Sequence, residues 1–168
     1  DKGSREIFAC HSVLRESGVQ HKLLLVGPIE GKTAMIEAQE SNLPDAILTG
    51  PVRNAAPYYS IMDVLLLPTY REGFPNVILE AAASKVPAIT TDATGAFDSV
   101  IHGESGLITK VGSTSSLISA VKYLLADSEL RSRMGRNAYE RVLRYFDSQT
   151  VVEDHANFFT SVHRLPRD

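Results

Sequence analysis

The sequence has little of what several classes of protein require. Its single cysteine, Cys10, has no partner for an internal disulfide, which fits a reducing compartment. Lys and Arg total 17 against 20 for Asp and Glu, so this acidic chain is not expected to bind the backbone of a nucleic acid. No apolar run reaches the roughly 20 residues of a membrane-spanning helix, and no signal-peptide pattern opens the chain. We therefore expect a soluble, cytoplasmic protein.

Other absences concern organisation and chemistry. The 168 residues, 43% of them hydrophobic, contain no internal repeat, low-complexity segment or linker, which predicts one domain over 1–168. The histidines lack a metal-binding spacing, and no Ser-His-Asp or Cys-His set can be assembled. The chain begins at Asp1 without an initiator methionine, so we expect a fragment of a longer polypeptide.

Short apolar runs alternate with amphipathic segments along the chain. The predicted strands are 22–26, 46–48, 64–67, 88–91 and 106–109. The predicted helices are 4–16 with Ser4 as its N-cap, 32–41, 54–62, 77–85, one capped by Ser113, one capped by Ser128, and 148–162. This alternation predicts an α/β fold, a Rossmann-like doubly wound parallel sheet with helices on both faces. Ligands of such sheets bind at the carboxyl ends of the strands.

One stretch at that edge combines polar chemistry with a strand-to-helix turn. Glu72 and Gly73 follow the predicted strand 64–67, Pro75 suits the first turn of a helix, and Glu80 lies within that helix. Unpaired amides at the start of the helix would face a bound ligand. On the residues alone, the two acids are also compatible with solvated carboxylates near a helix start, where negative charge is favourable.

The sequence Glu72-Gly73-Phe74-Pro75, followed by Leu79-Glu80-Ala81, resembles the C-terminal, donor-binding half of the GT-B glycosyltransferases. The likeness is greatest to the retaining group called family four, or glycosyl transferases group 1, in which two glutamates are separated by seven residues, as Glu72 and Glu80 are. The segments 85–92, 102–108 and 130–138 resemble the family's following elements in the same order. The resemblance therefore covers nearly the whole chain.

The resemblance implies roles for five residues of this stretch. Glu80 would accept hydrogen bonds from the ribose hydroxyls of a nucleotide sugar, and Glu72, the candidate catalytic group, would contact hydroxyls of the transferred sugar. The backbone amides of Gly73, Phe74 and Asn76 would contact the sugar or the diphosphate. On this view Glu72 positions the sugar and is not a nucleophile.

Two further donor-binding residues follow from the resemblance. Lys2, followed by Gly3, matches the family's diphosphate-binding Lys-Gly pair, and Val52 would meet the base through its backbone. The segment Thr94-Gly95-Ala96 occupies the place of a further donor loop. A lysine and a helix N-terminus would supply positive potential without a metal. The resemblance also implies transfer with retention of configuration and without a cofactor.

The chain departs from the family in two ways. It begins after a first strand, which would lie between 22–26 and 64–67, so we expect direct pairing of those strands, a foreign strand between them, or marginal stability. The acceptor-binding N-terminal half is also absent. The helix at 148–168 would cross to that half, which leaves its apolar stripe exposed and the fragment alone inactive.

The sequence thus predicts the donor-binding domain of an enzyme that transfers a sugar from a nucleotide-diphosphate sugar to a glycan, lipid or other acceptor. Acceptor binding, and any peripheral contact with the inner face of a membrane, would run through the missing half. Two alternatives remain at this point: a non-catalytic nucleotide-sugar binding module and a GT-B sugar-nucleotide epimerase.

Overall fold

The computed structural model describes residues 2–28 and 43–163, where helices alternate with short strands. The strands are β1 (Leu23–Leu25), β2 (Ala46–Leu48), β3 (Leu65–Leu67), β4 (Ala88–Thr91) and β5 (Gly106–Thr109). The α-helices are α1 (Ser4–Glu16), α2 (Ala56–Tyr59), α3 (Asn76–Ala83), α4 (Thr114–Ala126), α5 (Ser128–Tyr145) and α6 (Ser148–His163), and a 3-10 turn covers Phe97–Ser99. The helix predicted over 32–41 lies outside the described residues.

The strands of the described ranges form two parallel sheets, β1-β2 and β3-β4-β5. Leu24 pairs with Ile47 in the first sheet, and Ile89 pairs with Leu66 and Leu107 in the second. Parallel neighbours require crossover connections, and helix α3 provides the one between β3 and β4. The predicted Rossmann-like α/β class is confirmed.

Helices cover both faces of the three-stranded sheet. One face packs against α1, α4 and α5 through a buried cluster of Cys10, Leu14, Ile89, Leu107, Leu117, Val121, Leu124, Leu130 and Met134. The other face packs against α3 through Leu67, Ile78, Ala88 and Val100. Successive strand residues point to opposite faces, so both faces of β4 are buried. This explains why the strands appear in the sequence as continuous apolar runs.

Two of the predicted N-caps are wrong by one residue, and one is right. Ser4 is the first residue of α1, whose N-cap is Gly3, and the cap of α5 is Asp127, whose carboxylate accepts the amide hydrogen of Leu130 at 2.8 Å. Ser113 caps α4 as predicted, since its hydroxyl accepts the amide hydrogen of Ser116 at 3.3 Å. Asp is as good an N-cap as Ser, so two adjacent candidates are not distinguished by residue type.

A cavity of about 180 Å³ lies between β1 and β3. It is lined by both strands, by Ile7 of α1 and by Val121 and Leu125 of α4. The further strand that the resemblance implies between 22–26 and 64–67 would occupy this position. Among the described residues β1 and β3 do not pair with each other, which removes the first of the three alternatives. A foreign strand in the gap and marginal stability stay predictions.

The backbone amides of Leu24 and Leu66 face this cavity. The preceding amides point the other way: Leu23 donates to the Asp45 carbonyl at 3.1 Å, on the side of β2, and Leu65 donates to the Pro87 carbonyl at 3.0 Å, on the side of β4. The backbone groups of successive residues in a parallel strand point to opposite sides. The amides of Leu24 and Leu66 are therefore directed into the gap.

We expect the amides of Leu24 and Leu66 to exchange with solvent at least about tenfold faster than those of Leu23 and Leu65, because opening frees the paired amides only transiently. Residue-resolved hydrogen exchange by NMR measures this, and Leu23 and Leu65 are the internal controls. Equal protection of all four amides would mean that another backbone occupies the gap.

The last helix, α6, leaves apolar side chains exposed. Val152, Phe158 and Phe159 are each 60% exposed or more. His155 on the same stripe is also exposed. The exposed stripe fits the prediction that 148–168 crosses to a second domain, and that crossing stays a prediction. No described helix combines the length and apolarity that crossing a membrane requires.

Candidate functional site

The loop from β3 to α3 forms one side of a polar edge at the carboxyl ends of β3, β4 and β5. Thr69 at its start is fully buried, and the Thr91 hydroxyl donates to the Thr69 carbonyl at 2.5 Å. The loop ends at Pro75, which is extended at φ −80° and ψ 101° and precedes the first residue of α3. A fixed φ and no amide hydrogen suit proline to a helix start.

The amides that open α3 are available for binding. Ile78 donates to the Pro75 carbonyl at 3.0 Å. Within 2–28 and 43–163, the amides of Gly73, Phe74 and Asn76 donate to no backbone or side-chain acceptor. Free amides at a helix N-terminus, together with the helix dipole, favour an anion there.

Lys2 and Glu72 form an ion pair between the Lys2 Nζ and the Glu72 Oε1, although 70 positions separate them. The Glu72 side chain is 14% exposed, whereas that of Lys2 is 64% exposed. Two predicted site residues that are far apart in the sequence therefore meet. A cation and a carboxylate at one place can together orient a ligand that carries both negative charge and hydroxyl groups.

Gly3 brings Lys2 to that position. Its φ is +75°, and a Cβ on this residue would lie 2.1 Å from the Pro68 carbonyl oxygen. A glycine is therefore required twice over, by the left-handed backbone and by the close approach to the end of β3. The fold thus gives a steric reason for a glycine directly after Lys2.

Gly95, in the loop after β4, lies against the backbone of the loop that carries Glu72. Its φ is +79°, and a Cβ there would lie 1.9 Å from the Gly73 carbonyl oxygen and 2.3 Å from that of Glu72. The Glu72 amide donates to the Thr94 carbonyl at 3.3 Å. The segment Thr94-Gly95-Ala96 thus contacts the backbone of the motif, which fits the expectation of a second loop at this edge.

The side chain of Phe74 packs against helix α5. Its ring packs on Phe146 at the end of α5, with ring centroids 5.3 Å apart. The Arg141 guanidinium lies 4.8 Å from the centre of the Phe146 ring and donates to the Ser99 and Asp98 carbonyls at 3.0 and 2.8 Å. The exposed loop is therefore braced by a helix end, a contact that sequence spacing does not reveal.

Glu80 lies on the same face of α3 as Asn76, since the two are four residues apart in a helix. Its carboxylate accepts a hydrogen bond from the Tyr59 hydroxyl at 2.8 Å. Sequence reasoning missed Tyr59. The available signal was weak: a buried tyrosine usually needs a partner for its hydroxyl, but the sequence does not say which.

Val52 is half-buried on the loop from β2 to α2. That loop follows the carboxyl ends of the two-stranded sheet, and none of the described hydrogen bonds joins Val52 to the loop that carries Glu72. Its predicted contact with a base therefore has positional support only. Within the same described ranges, no group of three or more His, Cys, Asp or Glu side chains could hold a metal ion.

The chain is similar to known glycosyltransferases in sequence. A model of the family described as Glycosyl transferases group 1 matches residues 6–127. The capsular polysaccharide biosynthesis glycosyltransferase CapM of Staphylococcus aureus is 36% identical over 157 residues, which are 92% of this chain and 41% of CapM. The chain thus spans about two fifths of the length of this curated relative.

Solved structures share the fold. Sucrose-phosphate synthase from Thermosynechococcus elongatus matches with a TM-score of 0.85 and 28% identity, over 96% of this chain and 42% of that chain. Anabaena Alr3699/HepE, solved in complex with UDP, matches with a TM-score of 0.86 and 21% identity, over 95% of this chain and 45% of that chain. The second likeness concerns the fold alone.

Proposed function

Since the chain belongs to the glycosyl transferases group 1 family, we propose that it is the donor-binding domain of an enzyme that transfers a sugar from a nucleotide-diphosphate sugar to an acceptor. The polar edge described above is the proposed donor site. The family match supports sugar transfer, and the following steps concern the donor.

The observation that carries the proposal is the row of free amides at the start of α3, beside the Lys2–Glu72 pair. Breaking a sugar–phosphate bond leaves a diphosphate with developing negative charge. Donors fixed in advance stabilise that charge without reorganising. The amides of Gly73, Phe74 and Asn76 are the proposed donors, and Lys2 adds the opposite charge.

The two glutamates divide the rest of the donor between them. Glu72 is in contact with Lys2, so a group bound at Glu72 lies next to the cation that would hold the diphosphate. That is the position of the transferred sugar. Glu80 lies further along α3, and we assign it the ribose hydroxyls, with the Val52 backbone at the base. Carboxylates orient neutral hydroxyls by charge-assisted hydrogen bonds.

We further propose that transfer retains the configuration of the sugar and needs no metal or cofactor. The leaving phosphate would act as the base from its own face of the sugar, with Glu72 as a positioning group. The charge of the diphosphate would be met by the amides, the helix dipole and Lys2. Addition of EDTA should leave the rate of transfer unchanged.

The names of the relatives suggest which nucleotide the donor carries and which kind of acceptor receives the sugar. HepE was solved with UDP, which makes UDP the first nucleotide to test. CapM is a capsular polysaccharide biosynthesis enzyme, so a glycan or lipid-linked acceptor is proposed for this protein, bound through a second domain. A cytoplasmic location, with contact to the membrane through that second domain, belongs to the same proposal. Relatives named as transferases do not favour the binding-module or epimerase alternatives.

Glu80→Ala should weaken nucleotide binding about 10- to 100-fold, since hydrogen bonds to a charged group contribute about 1.5–3 kcal/mol. Calorimetric titration with UDP, GDP and ADP measures this. Glu140→Ala, which removes an exposed carboxylate from α5, is the matched control and should change nothing. Unchanged affinity in Glu80→Ala for every nucleotide that binds would remove Glu80 from the donor site.

A further inference from the structure

A buried tyrosine is bonded to the exposed Glu80. Tyr59 is 6% exposed, and its Oη donates to the Glu80 Oε2 at 2.8 Å. Tyr59 ends α2, and Glu80 lies in α3, so the bond joins two helices. Helix α2 follows the loop that carries Val52. One side-chain contact therefore connects the segment proposed for the base with the residue proposed for the ribose.

The tyrosine ring is fixed by its packing. It belongs to a buried cluster with Ala81 of α3 and Val86, and the partly buried Met62 and Leu65 pack against the same cluster. Because the ring is packed on several sides, its hydroxyl can point in only one direction. The Glu80 side chain, in contrast, is exposed and has no such packing of its own. The tyrosine is the rigid partner of the pair.

The bond leaves Glu80 able to accept at least two further hydrogen bonds. A carboxylate has about four lone-pair sites on its two oxygens. Tyr59 occupies one site on Oε2, so the whole of Oε1 and a second site on Oε2 stay available. The terminal torsion of a free glutamate is broad, and the bond to a fixed hydroxyl defines it. The carboxylate plane is thereby set before a ligand arrives.

We propose that Tyr59 is a positioning residue that holds both Glu80 oxygens for the vicinal diol of a ribose, and so makes the site prefer a ribonucleotide over its 2′-deoxy analogue. This inference rests on the proposed function, because it takes Glu80 as the ribose-binding residue. A site arranged for two hydroxyls binds an analogue that lacks one of them less well, because the unused acceptor is left without its partner.

The protonation state of Tyr59 suits this role. Burial, and then the hydrogen bond to Glu80, raise the pKa of the Tyr59 hydroxyl above its usual range. The hydroxyl is therefore protonated at neutral pH and acts as the donor. Glu80 is left to accept from the ligand.

Tyr59→Phe tests the proposal. Phenylalanine keeps the buried ring, and water replaces the lost hydroxyl at the exposed carboxylate, so the fold should persist. The variant should bind the ribonucleoside diphosphate roughly three- to tenfold more weakly, because Glu80 is then immobilised only on binding. Binding of the 2′-deoxy analogue should change less, so the preference for ribose should fall.

The experiment is a double-mutant cycle over Tyr59→Phe and Glu80→Ala. The probes are UDP, GDP and ADP with their 2′-deoxy analogues, and the readout is the ratio of the two dissociation constants. In the Glu80→Ala background, Tyr59→Phe should leave that ratio unchanged. Tyr58→Phe, on the same helix, is the control and should behave as wild type. Melting curves of each variant report on the fold.

Each outcome is informative. A reduced ratio in Tyr59→Phe alone supports the proposal. An unchanged ratio in Tyr59→Phe, with a preference that Glu80→Ala abolishes, overturns the role of Tyr59 and keeps the proposed function. A full preference for ribose in Glu80→Ala overturns both. Should Tyr59→Phe melt early, the ¹³Cζ resonance of Tyr59 in the wild type serves instead: it should shift on binding the ribonucleotide, and an unchanged resonance would contradict the proposal.

Discussion

Glu72→Gln should lower the kcat for sugar transfer about 10- to 100-fold while leaving the affinity for the nucleoside diphosphate nearly unchanged. Replacing the carboxylate by an amide weakens its hydrogen bonds to sugar hydroxyls, and charge-assisted bonds contribute about 1.5–3 kcal/mol each. The same change frees the Lys2 ammonium from its ion pair, which favours the diphosphate. The loss should therefore appear only when the sugar is present.

The assay needs a polypeptide of the length of the curated relatives, because this chain spans about two fifths of CapM. Initial rates give kcat, and calorimetry gives the dissociation constants of the nucleoside diphosphate and the nucleotide sugar. Glu80→Gln is the comparison, since it should weaken the binding of both the nucleoside diphosphate and the nucleotide sugar. If Glu72→Gln weakened the nucleoside diphosphate as strongly as it slowed transfer, Glu72 would not be the residue that positions the sugar.

Gly95→Ala should displace the Glu72–Gly73 backbone and reduce transfer about 100-fold. A methyl group has no room there, because the Cβ would lie 1.9 Å from the Gly73 carbonyl oxygen. Catalytic groups must be held within a fraction of an ångström, and a displacement of about 1 Å can cost about 10²-fold in rate. The left-handed backbone adds about 1–2 kcal/mol of destabilisation.

Gly103→Ala separates the clash from the backbone cost. Gly103 has the same φ of +79°, but a Cβ there meets nothing within 4 Å. By thermal melting, this control should lose only the backbone part of the stability, about 1–2 kcal/mol, and it should keep its rate of transfer. Equal rates in the two variants would show that the contact of Gly95 with the motif does not support the reaction.

Within the described ranges, the sequence alone was sufficient for the order of the elements and for the loop that carries Glu72. Strands such as Ala88–Thr91 and Gly106–Thr109 were predicted to the residue because a parallel strand buried on both faces is a short, continuous apolar run. Helix termini were less certain, as Gly3 and Asp127 at two N-caps show. By residue type, Asp127 is as good a cap as Ser128, whereas Ser4 is a better candidate than Gly3.

The parts of the site that the sequence did not reveal are contacts between distant segments. Tyr59 meets Glu80, and Phe74 meets Phe146, through packing that no periodicity encodes. The resemblance placed Gly95 in a further donor loop but did not show which residues it contacts. Its importance comes from the Glu72 and Gly73 carbonyls beside it. Such pairings depend on how elements pack, whereas local patterns describe one element at a time.

The most direct test of the donor site is a titration of the ¹⁵N-labelled chain with UDP, GDP and ADP, followed by amide chemical shifts. The proposed function predicts that at least one nucleotide shifts the amides of Gly73, Phe74 and Asn76 in a saturable manner, and that Glu80→Ala weakens the response. If millimolar nucleotide left these three amides unmoved, or shifted only amides far from the start of α3, the proposed donor site would be wrong.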